Sequence, residues 1–338
     1  MELDNRVYSL IEHQGDLWPL ALTVVAPDLP SGPYLLVGSG TSYYLAQTAA
    51  ALGRQLGLMV DAVPSENMVL EPQATLLGYR TVIVISRSGV TTEAVRALNV
   101  AKRLGRTAWA LTCNDGTPLT RSADVALVLN GADDGTVVMI QSYTTMLISL
   151  QSLWLQTVGR SIDVLRSMEN VLPQMVADTR AWWTQHSVKI PRRIYVLGGG
   201  VRLGVANEGV LKIQEMSGQI AAAYPPLEFR HGPRGSVQAD DLIVLLGQHR
   251  FAQHERSVLR DLQTQTQQFL VIAAETWREH VAETATEGIF WNSAVPDDLS
   301  GPLAVVPLQL LAWYLSKAAG RDPDHPHNLT KVVQLDYE

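Results

Sequence analysis

Ile83-Val84-Ile85-Ser86-Arg87-Ser88-Gly89-Val90-Thr91-Thr92-Glu93 passes from an apolar run through a turn into the start of a helix. The β-branched residues from Thr81 to Ile85 predict a buried strand. The run stops in a hydroxyl-rich turn with one glycine. Thr91-Thr92-Glu93-Ala94-Val95-Arg96-Ala97-Leu98 then begins a helix, with threonines placed to cap it and an acid in its first turn. Strand, small-residue turn and helix N-terminus make an anion site when free backbone N–H groups and the positive end of the helix dipole face one point. Ser86, Ser88 and Thr91 add hydroxyl donors that suit phosphate oxygens. An ordinary capped helix after a strand would read the same, so the surrounding text has to separate the two.

On the N-terminal side, Tyr34-Leu35-Leu36-Val37 runs into the glycine turn Gly38-Ser39-Gly40-Thr41-Ser42, and an Ala/Leu-rich helix follows from Tyr43 to Leu56. Further strands are predicted at Leu58 to Val63, Ala108 to Thr112 and Val125 to Leu129. This alternation predicts an α/β protein with a doubly wound parallel sheet of Rossmann type. Ligands of such sheets bind at the carboxyl ends of strands, where both turns would lie.

The pattern occurs twice. Gly38-Ser39-Gly40 has its counterpart in Gly198-Gly199-Gly200, and the same offset of 160 residues pairs Ile83-Val84-Ile85 with Ile243-Val244-Leu245 and Ala110-Leu111-Thr112 with Leu270-Val271-Ile272. One offset matching three strands predicts two copies of one unit. Opposite Ser86-Arg87-Ser88-Gly89 the second copy has Leu246-Gly247-Gln248-His249, without the hydroxyl pair, so one phosphate site per chain is expected. The expected organisation is a lead-in helix over 1–30 ended by Pro27, Pro30 and Pro33, and a first domain over 31–160. A connecting helix over 161–185, a second domain over 186–320 and a tail over 321–338 complete it.

At 338 residues, with 46% hydrophobic and 17% charged residues, the chain has the composition of a soluble globular protein of two ordinary domains. A net charge of −7 and no dense Lys/Arg block argue against a nucleic-acid partner. The single cysteine, Cys113, follows an apolar run and permits neither an internal disulfide nor a cysteine zinc cluster. His325-Pro326-His327 lacks a third ligand, and no metal is expected. No apolar run reaches the ~18–20 residues that spanning a membrane requires. The acidic start Met1-Glu2-Leu3-Asp4-Asn5 lacks a signal-peptide core, and a cytoplasmic location is expected.

In the second half, Val205 to Met216 has a helical pattern. At about 100° per residue, Glu208, Lys212 and Glu215 fall in a stripe roughly 60° wide. An exposed Glu/Lys ladder is the simpler explanation. Against it, Leu211 borders the stripe on one side and Val205 and Met216 on the other, while Asn207 and Gln214 are better candidates for solvent. Charges hemmed by apolar residues suggest a lined cavity, a setting expected to raise a carboxylate's pKa and lower a lysine's. Pro226-Leu227-Glu228-Phe229-Arg230-His231-Gly232-Pro233 holds a histidine in a rigid Gly-Pro turn. Near the end, Arg321 to Val333 reads as a polar tail that would let one lysine, Lys331, reach back into a site.

Taken together these motifs resemble the sugar isomerase (SIS) domain family, in its tandem form. The resemblance covers nearly the whole chain from about Tyr34. Gly38 to Tyr43 looks like the first glycine turn, Ser86 to Thr91 like the phosphate loop, and Glu208 to Glu215 like the catalytic helix. His231-Gly232-Pro233 looks like the histidine turn and Asp322 to Lys331 like the lysine tail. The resemblance implies two flavodoxin-like domains and a small-molecule sugar phosphate as partner, with no cofactor. Ser39, Gly40, Thr41, Ser42, Ser86, Arg87, Ser88, Thr91 and Thr330 would surround the sugar and its phosphate. Lys331 would form a Schiff base with the C2 carbonyl of the ketose, and Glu215 would move the proton between C1 and C2. Lys212 would handle the C1 oxygen, and Glu208 would orient the lysine. His231, supplied by the neighbouring subunit of a homodimer with shared sites, would help open the ring. Arg87 stands where glutamine is common, Val90 where glutamate is frequent and His327 where arginine is usual.

The activity expected is an isomerase/deaminase of an amino-sugar 6-phosphate without glutaminase activity, since Cys113 cannot serve as an N-terminal nucleophile. Two alternatives stand beside it: a deglycase of a fructosamine 6-phosphate, and a non-catalytic sugar-phosphate-binding regulator. A regulator would have no use for Lys331.

Overall fold

The computed structural model describes residues 5–23, 29–186, 190–282, 287–292 and 294–333. Pro27, one of the expected stops before the first strand, and the acidic start at Met1 to Asp4 lie outside them. The chain divides into two compact units, one of residues 13–166 with 328–338 and one of residues 1–12 with 167–327.

The unit of residues 13–166 and 328–338 is built on five parallel strands, β1 (Tyr34–Gly38), β2 (Val60–Pro64), β3 (Thr81–Ile85), β4 (Thr107–Thr112) and β5 (Val125–Val128), in the order β2-β1-β3-β4-β5. Tyr34 of β1 pairs with Val60 on one side and Thr81 on the other. β1 and β3 are buried at every residue, as parallel strands covered on both faces must be, which is why they read as unbroken apolar runs. The helix Thr92–Arg103 turns Ala94, Ala97, Leu98 and Ala101 inward, at the spacing of one helix face. They join a core with Leu35 and Val37 of β1, Val82 and Val84 of β3, and Ala108 and Ala110 of β4. The order reverses between β1 and β3, and their carboxyl ends carry the Gly38–Ser42 and Ser86–Thr91 turns. This is the topological switch point, where such sheets take their ligands.

The other unit repeats the plan. Its strands β6 (Ile194–Gly198), β7 (Ala221–Tyr224), β8 (Leu242–Leu246), β9 (Phe269–Ala274) and β10 (Glu287–Trp291) are parallel in the order β7-β6-β8-β9-β10. The backbone repeats as well. Gly40 and Gly200 both take φ 54°, the left-handed region that L side chains avoid. A Cβ on Gly38 would meet the Ser42 backbone at 2.5 Å, and one on Gly198 the Arg202 backbone at 2.5 Å. Each glycine lets a helix start directly behind its strand.

Within this unit the helix Arg202–Ser217 packs on the apolar helix Gly301–Ala318, with Gly209 so close that a Cβ would lie 2.3 Å from Leu308. Asp324 accepts hydrogen bonds from the backbone N–H groups of Arg6 (3.0 Å) and Val7 (2.8 Å), capping the N-terminal helix Arg6–His13. Among the described residues no helix is long and apolar enough to cross a membrane.

Candidate active site

At the first switch point, Ser39 and Gly40 are exposed while Thr41 and Ser42 are buried at the start of the helix Thr41–Gln55. In the neighbouring loop the Gly89 N–H donates to Ser86 Oγ at 3.2 Å and the Val90 N–H to Ser88 Oγ at 3.3 Å. Gly89 holds φ 67°, and a Cβ there would lie 2.3 Å from Thr117 Oγ1. Thr91 stands at the N-cap of the helix Thr92–Arg103, but its side chain makes no capping hydrogen bond. The expectation that Thr91 caps the helix is thereby corrected. Its hydroxyl is not spent on the backbone, which favours the anion site over the ordinary capped helix.

Arg87 was expected on the substrate. Its side chain is 5% exposed, and both terminal nitrogens are committed elsewhere. Nη1 donates to Thr136 O (3.1 Å), Val138 O (3.4 Å) and Asp134 Oδ2 (3.4 Å); Nη2 donates to Val137 O (3.2 Å) and Lys331 O (3.1 Å). A guanidinium with its fork filled by carbonyls is a brace rather than a phosphate clamp. Its ion-pair partner Asp134 is wholly buried and accepts from the Ile140 N–H (3.0 Å) and Ser142 N–H (3.3 Å), where the helix Gln141–Thr157 begins.

Lys331 lies in the same unit. Its Nζ is 3.0 Å from Asp133 Oδ1, with the lysine side chain 40% exposed and the aspartate 20%. Asp133 also accepts from Asn114 Nδ2 (2.9 Å) and the Gly135 N–H (2.8 Å). Burial pushes its carboxyl up, but the hydrogen bonds from Asn114, Gly135 and Lys331 and the nearby Arg87 charge outweigh this and hold it below the usual range. Thr330 is exposed, and its hydroxyl donates to Val332 O at 3.2 Å. Neither Asp133 nor Asn114 was singled out from sequence. The only signal was the acidic pair Asp133-Asp134 standing before a long buried helix.

In the other unit the charged stripe is not an exposed ladder. Glu208 and Lys212 are wholly buried, with Lys212 Nζ 3.4 Å from Glu208 Oε1. Lys212 also donates to Glu215 Oε2, and Glu215 alone keeps exposure, at 20%. Gln214 faces solvent as expected, while Asn207 is half-buried. The expected fall in the lysine's pKa is corrected: burial pushes the ammonium down, but the Glu208 and Glu215 carboxylates more than offset it, and the net direction is up. The lysine's counter-charges lie on its own helix, one turn to either side. His231 follows the short turn Glu228–Arg230 and is exposed, with its backbone N–H on Glu228 O at 2.9 Å. No bond joins its ring to the charged stripe among those recorded for the described residues.

The second switch point is filled by the chain itself. The Gln248 N–H donates to Glu255 Oε2 (2.9 Å) and the His249 N–H to Asp297 Oδ2 (2.8 Å). Buried Arg202 donates to Asp297 Oδ1 at 3.0 Å. By the repeat offset Gln248 and His249 correspond to Ser88 and Gly89. In the second copy these loop N–H groups are met by carboxylates, whereas in the first the Gly89 and Val90 N–H groups are met by serine hydroxyls.

A family model for the SIS domain matches residues 32–155 and 189–317. The glutamine–fructose-6-phosphate aminotransferase (isomerizing) of Pyrobaculum aerophilum is 26% identical over 349 residues, covering 99% of this chain and 57% of its own length. That of Clostridium acetobutylicum is 30% identical, covering 89% and 51%. The chain spans about half the length of the curated relatives it matches. Among solved structures, glucosamine-6-phosphate deaminase from Thermotoga maritima superposes with a TM-score of 0.82 at 24% identity, covering 98% of this chain and 100% of that one. The C-terminal domain of glucosamine-fructose-6-phosphate aminotransferase from Francisella tularensis gives 0.85 at 20% identity, covering 96% and 98%. These structures share the fold. The two matched segments each contain one of the two repeated sheets, and the chain belongs to the SIS domain family.

Proposed function

We propose that the protein is a sugar-phosphate isomerase acting on an amino-sugar 6-phosphate, releasing ammonia and a ketose 6-phosphate. One observation carries this reading: an ammonium wholly buried between two carboxylates, of which only Glu215 reaches solvent. An acid–base catalyst needs a group that substrate can touch, and Glu215 is the member of the triad that offers one.

On this reading Glu215 takes the C2 proton and returns it to C1. Lys212, held cationic by its two acids, donates a hydrogen bond to the C1 oxygen as charge develops there. Glu208 fixes Lys212. Lys331 adds to the imine formed at C2 and displaces ammonia, and water then hydrolyses the resulting Schiff base to the ketose and the free lysine. Ser39, Gly40, Thr41, Ser42, Ser86, Ser88 and Thr91 grip the phosphate and hydroxyls, with Thr330 beside them and Arg87 bracing the loop. His231 assists ring opening across a homodimer. Names of the compared proteins support the substrate class, since they carry fructose and glucosamine 6-phosphates. Such charged metabolites are held inside cells, in keeping with a cytoplasmic enzyme.

Incubation with glucosamine, galactosamine and related 6-phosphates, with ammonia as the readout, tests the reading. Release from one of them supports it, and release from none counts against it.

A further inference from the structure

Four residues close a ring at the carboxyl end of the first sheet. The Arg87 carbonyl accepts from Asn114 Nδ2 at 3.0 Å, and the same nitrogen reaches Asp133 Oδ2 at 2.9 Å. Asp133 Oδ1 holds Lys331 Nζ at 3.0 Å, and the Lys331 carbonyl returns to Arg87 Nη2 at 3.1 Å. An isolated ion pair at this exposure would contribute little. Here Asp133 is fixed from two further sides, by Asn114 and the Gly135 N–H, and the lysine is gripped at its backbone as well as its amine. Among the described residues, the charged groups linked to Lys331 by a recorded contact are Asp133 at its amine and Arg87 at its carbonyl, with Asp134 paired to the guanidinium.

We propose that Asp133 is a positioning residue for Lys331: with Asn114 and Arg87 it forms a dock that holds the tail's amine at the phosphate loop. The proposal rests on the role given to Lys331 above. A lysine on an exposed tail samples many rotamers, and docking restricts it before substrate arrives, so less freedom is lost when the amine meets C2. In the step that follows, the ammonium gives one proton to solvent and its lone pair bonds to C2 of the protonated imine that isomerisation leaves there. The bond from C2 to the sugar's own nitrogen breaks, that nitrogen leaves as ammonia with a proton from the attacking amine, and water then adds to the Lys331 Schiff base to free the ketose and the lysine. Because Arg87 sits between Ser86 and Ser88, the residue that braces the phosphate loop also holds the reacting lysine's backbone.

The test compares the full chain with Asp133→Asn and Asp133→Glu. Acetic anhydride at one fixed pH, followed by mass spectrometry, gives the acetylation rate of Lys331 relative to Lys102 in the same digest. Lys331 should react roughly two- to five-fold faster in D133N than in the parent, and D133E should restore the slower rate. With whichever amino-sugar phosphate is turned over, kcat should fall roughly 10- to 100-fold in D133N with KM nearly unchanged, since the phosphate grip is intact. Equal labelling in parent and D133N overturns the dock, and faster labelling with unchanged kcat overturns its positioning role. If the parent turns over no sugar, the functional reading fails, while the labelling still decides the dock.

Discussion

Lys212 Nζ lies 3.4 Å from Glu208 Oε1, and neither side chain has any exposure. Taking both charges out of water is unfavourable by several kcal/mol per ion unless geometry and partners compensate. A sequence selected for stability alone could fill this place with apolar side chains. On the proposed reading, the pair's value lies in holding an ammonium beside Glu215, the member of the triad that stays open.

Removing the lysine and removing the open acid should therefore have separable consequences. Lys212→Ala leaves Glu208 charged and buried without its cation, a loss of about 3–5 kcal/mol. Glu215→Gln leaves the Glu208 pair in place, at a loss of about 1 kcal/mol or less, while turnover falls roughly 10²- to 10⁴-fold. Urea unfolding and ammonia release on the two variants check both halves.

The twin glycines offer a control built into the repeat. Gly38→Ala and Gly198→Ala each drive a Cβ to 2.5 Å from backbone, and each should destabilise by about 1–3 kcal/mol. Only Gly38→Ala should weaken sugar-phosphate binding, because only its turn adjoins the Ser86–Thr91 loop at a switch point left open. Ligand-induced shifts in Tm, compared between the variants, give the answer.

Stability should fall as pH rises through neutrality because of Glu255. Burial pushes its carboxyl up to about 7, against the lowering influence of the Gln248 N–H and the Trp277 indole. Between an unfolded pKa of about 4.3 and this value the folded chain holds a proton that the unfolded chain has lost, so folding is favoured at the acid end of that window and weakened at its upper end. The change is of the order of 3 kcal/mol. Glu255→Gln should flatten this dependence and stabilise the protein at about pH 8 relative to the parent; urea midpoints at about pH 5 and about pH 8 measure it.

Replacing Ser86 and Ser88 together by alanine should lower sugar-phosphate affinity by more than loss of a ligand contact alone, since both hydroxyls also accept from loop N–H groups. A loss of roughly 1.5–3 kcal/mol in binding, read by calorimetry, is expected, together with a loss of about 1–2 kcal/mol in unfolding from the two loop hydrogen bonds removed.

The sheets were legible because fully buried parallel strands must be written as apolar runs, and the repeat because two glycines recur behind them. The Glu208–Lys212–Glu215 stripe was legible because helical spacing gathers it on one face and Leu211 and Met216 flank it. The direction of the Lys212 shift was not: apolar flanks argue desolvation, while the deciding contacts are two carboxylates whose rotamers turn onto the amine. Residue type showed that Arg87 is a cation beside two serines but not which way it points. Likewise the Thr91 hydroxyl reads as a cap until its geometry is seen. Asp133 and Asn114 meet Lys331 only because the chain's end returns to the first sheet, and no local pattern carries that information.

The most direct test of the proposed chemistry is to follow the amino-sugar 6-phosphate panel by NMR in D2O. Because Glu215 is partly open to water, the proton it carries from C2 exchanges with solvent in a fraction of turnovers, so the ketose 6-phosphate formed should carry deuterium at C1 in part and the original C2 hydrogen in the rest, and Glu215→Gln should abolish both. A protein that binds these sugar phosphates, with a Tm raised by them, yet exchanges no carbon-bound hydrogen and forms no ketose would contradict the isomerase assignment.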